Sequence, residues 1–441
     1  MAVSFIAFDY PVLINIKFVI SIAILFAIML PYFTNINVKY KQLLFPILIL
    51  NIPGAIDNVL PNFNSDRSEN IRVTIGIIQY YDIFIILYMT IYSFVYNKRI
   101  AARLNYFKNS MIVCFVLYVI NFAFIYYSLQ PANAYGGMLV FLRLLFLFVI
   151  TDDIFPPQEI YLSYIYKGLW ISVTLLLADS LLYGRYFSDY DHLTHSTLAN
   201  NVFSNLLLFI YSIFKIYFKK TSIVYTLSLM LILYLTGGRS AMIILVLFEL
   251  LYIMFIGKSN IATKIVTIVI FSSLLIFIIP QVISAIYLFT SGEITPEISS
   301  IYSRLSLWSL SLDMIIDNIY SGVGNWSWNY YKYDYGYFYV SMKYLEGDIF
   351  GDYLLLDAHN GYLHFMAENG IFIFVAFYSI FITSFKNMKL KIFLPFIIFL
   401  LTEIMNAGIN KLQVQIFVII TLYILRYKIL HKKYTSEELL S

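Results

Sequence analysis

Charged residues are scarce in this sequence: they make up 12% of its 441 residues, where a soluble domain has about a quarter. Cysteine is almost absent from the sequence, which contains Cys114 and no other. A lone cysteine excludes a disulfide scaffold, and so little charge excludes a water-soluble enzyme or a nucleic-acid-binding protein. Hydrophobic residues fill 61% of the chain, more than one soluble core can bury. The composition predicts an all-α, polytopic integral membrane protein.

Long apolar runs predict 13 transmembrane helices, or 12 without the weakest one, because each needs about 20 apolar residues. The weakest is 40–60, which Pro53 and Asp57 interrupt. No cleavable signal peptide is expected, since the first run is too long and lacks a basic start. The candidate spans are 12–33, 40–60, 71–96, 110–130, 135–151, 160–184, 195–218, 221–236, 239–256, 261–290, 359–385, 391–406 and 412–429.

Lysine and arginine predict the orientation of the chain. If the loop that contains Lys98 and Arg103 is cytoplasmic, the alternation of spans puts 18 basic residues inside and eight outside. Basic residues concentrate on the cytoplasmic side of membrane proteins. We therefore expect four regions: a helix bundle at 1–290, a long outer loop at 291–358, further spans at 359–430 and a cytoplasmic tail at 431–441.

The outer loop, about 68 residues long, is rich in aromatic residues, which disordered chains avoid. A loop of this length is usually functional. Its first part has the apolar spacing of a helix that lies along the membrane surface. The residues of this stripe are Ile301, Leu305, Trp308, Leu312, Ile315 and Ile319.

Three arginines on the outer side are candidates for binding an oxyanion such as phosphate. Arg239 follows two glycines, whose exposed N–H groups and the helix start beyond them would favour a phosphate. Arg304 lies at the margin of the apolar stripe next to Trp308, while Asp313 and Asp317 project from the far side. Arg185 is the weakest candidate. The alternative for all three is a structural or headgroup contact at the interface.

His359 opens the span after the long loop, with Asp357 as a possible helix cap. A histidine in the first turn of a helix feels the positive end of its dipole, which favours the neutral ring that a general base requires. The alternative is an ordinary interfacial histidine. His364 and Glu368, four residues apart, are interpreted as a buried structural pair.

Other charged residues inside the spans could line a tunnel or pair with each other; they are Asp82, Arg143, Lys167, Asp179, Glu249 and Glu403. We expect no metal site, since the carboxylates near the histidines lack a ligand spacing, and His192 and His195 have no third ligand.

Three features together resemble the O-antigen ligase and O-antigen polymerase superfamily. They are the turn Gly237-Gly238-Arg239-Ser240, the loop from Arg304 through Trp308 to Gly324, and His359-Asn360 at the start of a span. Ligase members carry a signature of His, then Asn, Ser or Gln, nine residues, Gly, two residues, and Gly, Thr or Tyr. Here His359, Asn360 and Gly370 fit, but the last position is Ile373.

The resemblance implies a GT-C-like, inverting glycosyltransferase that needs no metal and no cofactor and works at the periplasmic face of a bacterial inner membrane. Its donor would be an undecaprenyl-pyrophosphate-linked glycan. By position, the catalytic base is His359, the donor-binding arginines are Arg304, Arg239 and Arg185, and Asn360, Tyr362 and Trp308 support the acceptor side. A chain-length regulator protein is a possible partner.

A polymerase is preferred to a ligase because of Ile373, the aromatic loop and the Ile, Phe and Tyr bias. The alternatives are a ligase that transfers the glycan to lipid A-core and a flippase for lipid-linked oligosaccharides. A flippase would explain the charges inside spans, but transporters are commonly built from repeated halves, and no repeat is found here.

Overall fold

The structure is a computed structural model. It describes residues 37–50, 112–121, 170–175, 200–218, 223–257, 299–324, 358–385 and 390–404 as continuous stretches. Shorter pieces lie between and after them at 27, 30–32, 34, 74–75, 78–79, 85–88, 90, 164, 167–168, 260–262, 264–265, 269, 280, 283–284, 287, 328, 331–332, 335, 414–415, 418 and 421–422.

The described chain is helical, as predicted. Its helices are α1 (Val38–Leu50), α2 (Asn200–Phe218), α3 (Ile223–Leu235), α4 (Arg239–Leu251), α5 (Ser299–Asp317), α6 (Gly361–Phe385) and α7 (Leu390–Thr402). A π-helical turn, Tyr252–Ile256, extends α4. A further helical segment is Ile112–Asn121.

The span predicted at 71–96 is wrong at its start, where the structure has a short hairpin. Strands β1 (Thr74–Ile75) and β2 (Ile78–Gln79) pair antiparallel, with Thr74 opposite Gln79 and Ile75 opposite Ile78. These residues fall inside the span predicted at 71–96, so a helix there begins later, and residues 85–88 are helical. Three of the four strand residues are β-branched, which favours a strand.

The larger core is built around α2, which contacts α3, α4 and α7. Residues 202–213 of α2 are all buried, so this helix is enclosed on every side, as expected for the centre of a bundle. The ring of Phe209 packs against those of Phe396 and Phe399, each at a centroid distance of 5.4 Å. The N-terminal half of the sequence thus forms one core with its C-terminal helices.

Within the described residues, one helix, Gly361–Ile382, is long and apolar enough to cross a membrane. It lies in the span predicted at 359–385. Five shorter apolar helices fall within other predicted spans: Ile112–Asn121, Val202–Ile216, Tyr225–Leu235, Ser240–Ile256 and Phe393–Thr402. The total of 12 or 13 spans extends over residues outside the described stretches and stays a prediction.

One of the charged residues predicted inside spans has a partner of opposite charge. Glu249 of α4 forms an ion pair with Lys215 of α2. The hydroxyl of Tyr211 donates to the same carboxylate at 2.7 Å. Glu403 is fully buried just after α7, while Asp82, Arg143 and Asp179 lie outside the described residues.

Candidate functional site

The start of α6 is fixed by Asn360. Its side-chain oxygen accepts hydrogen bonds from the N–H groups of Tyr362 and Leu363, at 3.0 and 3.1 Å, which is the geometry of a helix N-cap. The N–H of Gly361 donates to the backbone oxygen of Glu403, at 2.7 Å. Asn360 is therefore a capping residue, and the first turn of α6 is joined to the end of α7.

His359 lies just before this cap rather than in the first helical turn, which corrects the sequence prediction. The cap is Asn360, and Asp357, the predicted cap, lies outside the described residues. His359 is half-buried and has a φ of 47°, the one positive φ among the described non-glycine residues. A left-handed residue with a side chain costs about 1–2 kcal/mol, and such strain tends to occur at functional sites.

Helix α5 carries Arg304 and packs against α6. Its buried residues are Leu307, Leu310, Ser311, Met314 and Ile315. Arg304 precedes Leu307 and Ser311 by three and seven residues and so lies on their side of the helix. It is half-buried. The predicted inward direction of Arg304 agrees with this placement.

The predicted apolar stripe of α5 divides between two faces. Ile315 is buried, but Leu312 and Ile319 are 47% and 40% exposed. Tyr320, also exposed, stacks on Phe372 of α6 at a centroid distance of 5.8 Å. The helix therefore has one apolar face toward the protein and a second apolar face that is exposed.

A separate apolar core lies beneath the outer loop. It contains Leu307, Leu310, Met314, Ile315, Val323, Trp328, Ala358 and Ala367. Trp328 and Lys332 of the loop are almost fully buried, and the Nζ atom of Lys332 lies 5.5 Å from the centre of the Trp328 ring. Ala358, the neighbour of His359, is buried in the same core as Leu307, one turn from Arg304. The loop core thus brings the segments of His359 and Arg304 together.

The predicted pair of His364 and Glu368 is present. The Nε2 atom of His364 lies 3.3 Å from a carboxylate oxygen of Glu368, and both side chains are buried. The His364 ring stacks on Trp328 at a centroid distance of 5.2 Å. Lys332 and Trp328 had no predicted role here, because their burial depends on how the loop folds back.

Gly370 interrupts α6, with φ 74° and ψ 171°. The turn after α5 docks into this break. The carbonyls of Ala367 and Glu368 accept from Val323 and Gly324, at 2.8 and 2.9 Å. The backbone groups that the break frees therefore find partners in the turn.

The same break fixes α5 to a helix from the other half of the chain. The N–H of Ile371 donates to the carbonyl of Ile319 at 2.8 Å. The amide nitrogen of Asn121 lies 3.3–3.4 Å from the carbonyl oxygens of Tyr320, Ser321 and Asn369. The sequence analysis did not identify Asn121, since nothing local links it to residues about 200 to 250 positions later.

The turn before Arg239 corrects one part of the phosphate hypothesis. The N–H of Gly237 donates to Tyr234 and that of Gly238 to Leu233, at 3.0 and 2.9 Å. With a φ of 67° at Gly237, this is a Schellman motif that ends α3. The two glycine N–H groups are thus used by the helix and not offered to a ligand. Arg239 begins α4, but its side chain lies outside the described residues.

Of the remaining predicted site residues, Trp308 and Tyr362 are described by the structure and Arg185 is not. Trp308 is half-buried on α5. The hydroxyl of Tyr362 donates to the carbonyl of Leu400 at 2.7 Å, so Tyr362 joins α6 to α7. Within the described part of the chain, no cluster of three His, Cys, Asp or Glu residues could hold a metal.

The pKa values of two side chains near the end of α5 are raised above their ordinary values. Burial raises the pKa of Asp313, and the neighbouring charge of Asp317 raises it further. Burial and a hydrogen bond to Asp317 raise the pKa of Tyr335 to about 12. The Tyr335 hydroxyl donates to Asp317 at 2.9 Å and accepts from Asn318 at 3.2 Å. These bonds attach residue 335 of the loop to α5.

The described residues form a helical protein with one helix long and apolar enough to cross a membrane, and with Arg304 and His359 beside one buried core. Residues 223–378 match the family model described as O-antigen ligase. The match supports the O-antigen ligase and polymerase superfamily, so the resemblance inferred from the sequence is confirmed. Members of this family are glycosyltransferase-like enzymes. No curated protein matches the chain.

Proposed function

We propose that the protein is an O-antigen polymerase, which joins undecaprenyl-pyrophosphate-linked repeat units at the periplasmic face of the inner membrane. The observation that supports a glycosyltransferase of this superfamily is the family match over 223–378, which includes both Arg304 and His359. These two residues adjoin a single buried core, through Leu307 and Ala358. The match supports the superfamily and does not distinguish a polymerase from a ligase.

In the proposed reaction, the hydroxyl oxygen of an acceptor sugar attacks the anomeric carbon of the donor glycan. The bond from that carbon to the pyrophosphate oxygen breaks, and undecaprenyl pyrophosphate leaves. His359 takes the proton of the attacking hydroxyl as general base. Arg304 holds the pyrophosphate and stabilises its growing negative charge with a planar pair of donors. Attack from the face opposite the leaving group inverts the anomeric configuration.

His359→Ala is the first test, in a strain that lacks the chromosomal gene. We expect a loss of transfer of about 10²-fold or more, because a positioned general base contributes 10²–10⁴-fold. Polymer length is measured on lipopolysaccharide gels, and protein level by immunoblot. Leu312→Ala, an exposed position on α5, is the control and should leave polymer unchanged. A normal ladder from His359→Ala would remove the catalytic assignment.

Arg304→Lys tests the donor site separately. Lysine keeps the charge but loses the fork that matches an oxyanion, so a severe loss of polymer is expected. The same gels measure it. Unchanged chain length in this variant contradicts the donor role of Arg304 and leaves that of His359 standing.

A ligase is the second candidate, and the description of the matching family favours it. Ile373, which departs from the ligase signature, is fully buried in the larger core. Gene disruption separates the two activities. Lipopolysaccharide with a single repeat unit indicates a polymerase, whereas full-length chains that remain on undecaprenyl pyrophosphate indicate a ligase.

A further inference from the structure

Glu368 joins the outer loop to α6 at several points. A carboxylate oxygen accepts from the backbone N–H of Trp328 at 3.3 Å. The same oxygen lies 3.3 Å from Nε2 of His364. The backbone oxygen of Glu368 accepts from the N–H of Gly324 at 2.9 Å. One residue of α6 therefore holds both ends of the loop segment 324–328.

The bonds of Trp328 extend this connection to α5. Its indole N–H donates to the hydroxyl of Ser311 at 3.3 Å, and its ring stacks on that of His364. We call Ser311, Trp328, His364 and Glu368 the loop clamp. All four side chains are buried. A buried carboxylate is costly to desolvate unless its hydrogen bonds are satisfied, and here they are made to the loop and to its neighbour on α6.

Packing alone does not explain a carboxylate at this position. An apolar side chain would fill the same space at a lower cost of desolvation. What an apolar side chain lacks is direction, because a hydrogen bond to one backbone N–H fixes the register of the loop on the helix. Buried polar groups of this kind can select one arrangement among several packed alternatives.

We propose that Glu368 is a positioning residue, which sets the separation of Arg304 and His359 by clamping the loop and α5 onto α6. This inference rests on the proposed function. The clamp residue Trp328 shares its apolar core with Leu307, one turn from Arg304, and with Ala358, next to His359. Release of the clamp therefore frees both supports of the site while the larger core around α2 stays intact.

The first test does not require activity. Lys332 is 1% exposed and lies one helical turn from Trp328, so trypsin cleaves after it only when the loop opens. In purified full-length protein in nanodiscs, Glu368→Ala should raise the cleavage rate after Lys332 about tenfold or more, since a hydrogen-bonded buried charge is lost. Glu368→Gln, which keeps an oxygen acceptor for the N–H of Trp328, should raise the cleavage rate less than about threefold.

Val375→Ala is the matched control, because Val375 lies on the exposed face of the same helix. It should leave cleavage after Lys332 unchanged. An unchanged rate in Glu368→Ala would overturn the proposal. So would equal rates for Glu368→Ala and Glu368→Gln, because the clamp requires the hydrogen bonds and not merely the volume of the side chain.

The second test measures transfer between purified lipid-linked units. Glu368→Ala should lower kcat about tenfold or more, with little change in KM, because misplaced groups weaken the transition state more than substrate binding. Glu368→Gln should recover most of the rate. The pH profile should keep its shape, since Glu368 carries no proton in the reaction. A shifted profile in Glu368→Gln would overturn the positioning role.

His364 variants separate the clamp from proton transfer. The Nε2 side of the ring faces Glu368, while Nδ1 is buried and has no hydrogen-bond partner among the described residues. His364→Gln places a donor near the Nε2 position and should keep most protection of Lys332, whereas His364→Asn should lose it. The reverse order would overturn the clamp. Failure of the proposed enzyme would instead show as normal transfer by His359→Ala, and it leaves the cleavage test unaffected.

Discussion

At the scale of single residues, the positions that resemble the ligase signature have different tasks. Asn360 caps α6, and Gly370 breaks it. His359, which immediately precedes the cap, is half-buried and left-handed. The spacing of nine residues between Asn360 and Gly370 is therefore the distance from a helix start to the break that receives the turn after α5.

The sequence predicted the pairing of His364 with Glu368, because residues four apart on a helix face each other. It did not predict the burial of Trp328 or Lys332. Their surroundings come from α5 and α6, which are distant in the chain, and no local periodicity encodes such contacts. The sequence also offered Asp357 as the cap of this helix, whereas the cap is Asn360, because both residue types cap well and only the geometry distinguishes them.

Asp313 provides a test of charge at this scale. Its pKa is raised in the folded protein, so ionisation opposes folding: the favourable contribution is complete below the ordinary value of 3.8 and is lost as the pH rises through the folded value. Asp313→Asn should therefore raise the thermal midpoint by about 1 °C at pH 7, since a half-exposed group is well screened.

The same comparison near pH 3.5 serves as the internal control, because Asp313 is then mostly protonated in both states. The midpoints of variant and parent, followed by intrinsic fluorescence in detergent, should coincide there. A gain of equal size at both pH values would show that the charge of Asp313 is not its cause.

At the scale of elements, the break in α6 is an interlocking joint between two glycines. A Cβ atom at Gly370 would overlap the carbonyl of Tyr320, and one at Gly322 would overlap the backbone of Glu368. Both glycines also have positive φ values, 74° and 66°. In the sequence Gly370 is a signature position inside a predicted span, and the approach of the two backbones is visible only after α5 and α6 have packed.

Gly370→Ala should thus destabilise the joint by roughly 3 kcal/mol or more, through backbone overlap and strain in a conformation that glycine tolerates. Thermal unfolding of the purified protein measures the loss. Gly257→Ala is the control: it has no positive φ, and the nearest atom to its Cβ would be 3.3 Å away. Equal stability of Gly370→Ala and the parent protein would contradict the tight joint.

The helix in the outer loop was predicted from its spacing, and α5 confirms it. Which of its faces would be buried was not predictable, because Leu307, Leu310 and Met314 form a second apolar face beside the predicted stripe. When a helix has two apolar faces, its sequence does not show which of them packs against the protein. Beside a bilayer both faces can be satisfied, one by α6 and the other by lipid.

At the scale of the whole molecule, the orientation inferred from lysine and arginine can be tested by labelling. The chain has one cysteine, Cys114, which is buried, so replacing it leaves a background without thiols. Asp317→Cys, at an exposed position at the end of α5, should react with a membrane-impermeant maleimide in intact spheroplasts. Ser441→Cys should react only after the membrane is permeabilised, because the tail is expected inside.

Each labelled variant is compared with the same protein after permeabilisation, which controls for poor reactivity. Labelling of Ser441→Cys in intact spheroplasts, with no reaction of Asp317→Cys, would reverse the orientation. It would also put His359 and Arg304 on the cytoplasmic side, where the proposed donor would have to be used before export.

The sequence alone determined that the protein is helical and apolar, that a long loop begins with a helix, and that His359 and Arg304 are candidates for chemistry. These properties depend on composition and local periodicity, which each segment carries by itself. Only the tertiary structure decided that the turn after α5 enters the break at Gly370, that Asn121 binds there, and that Glu368 clamps the loop. Such contacts join segments up to about 250 residues apart, and they arise from packing and backbone hydrogen bonding that no single segment specifies.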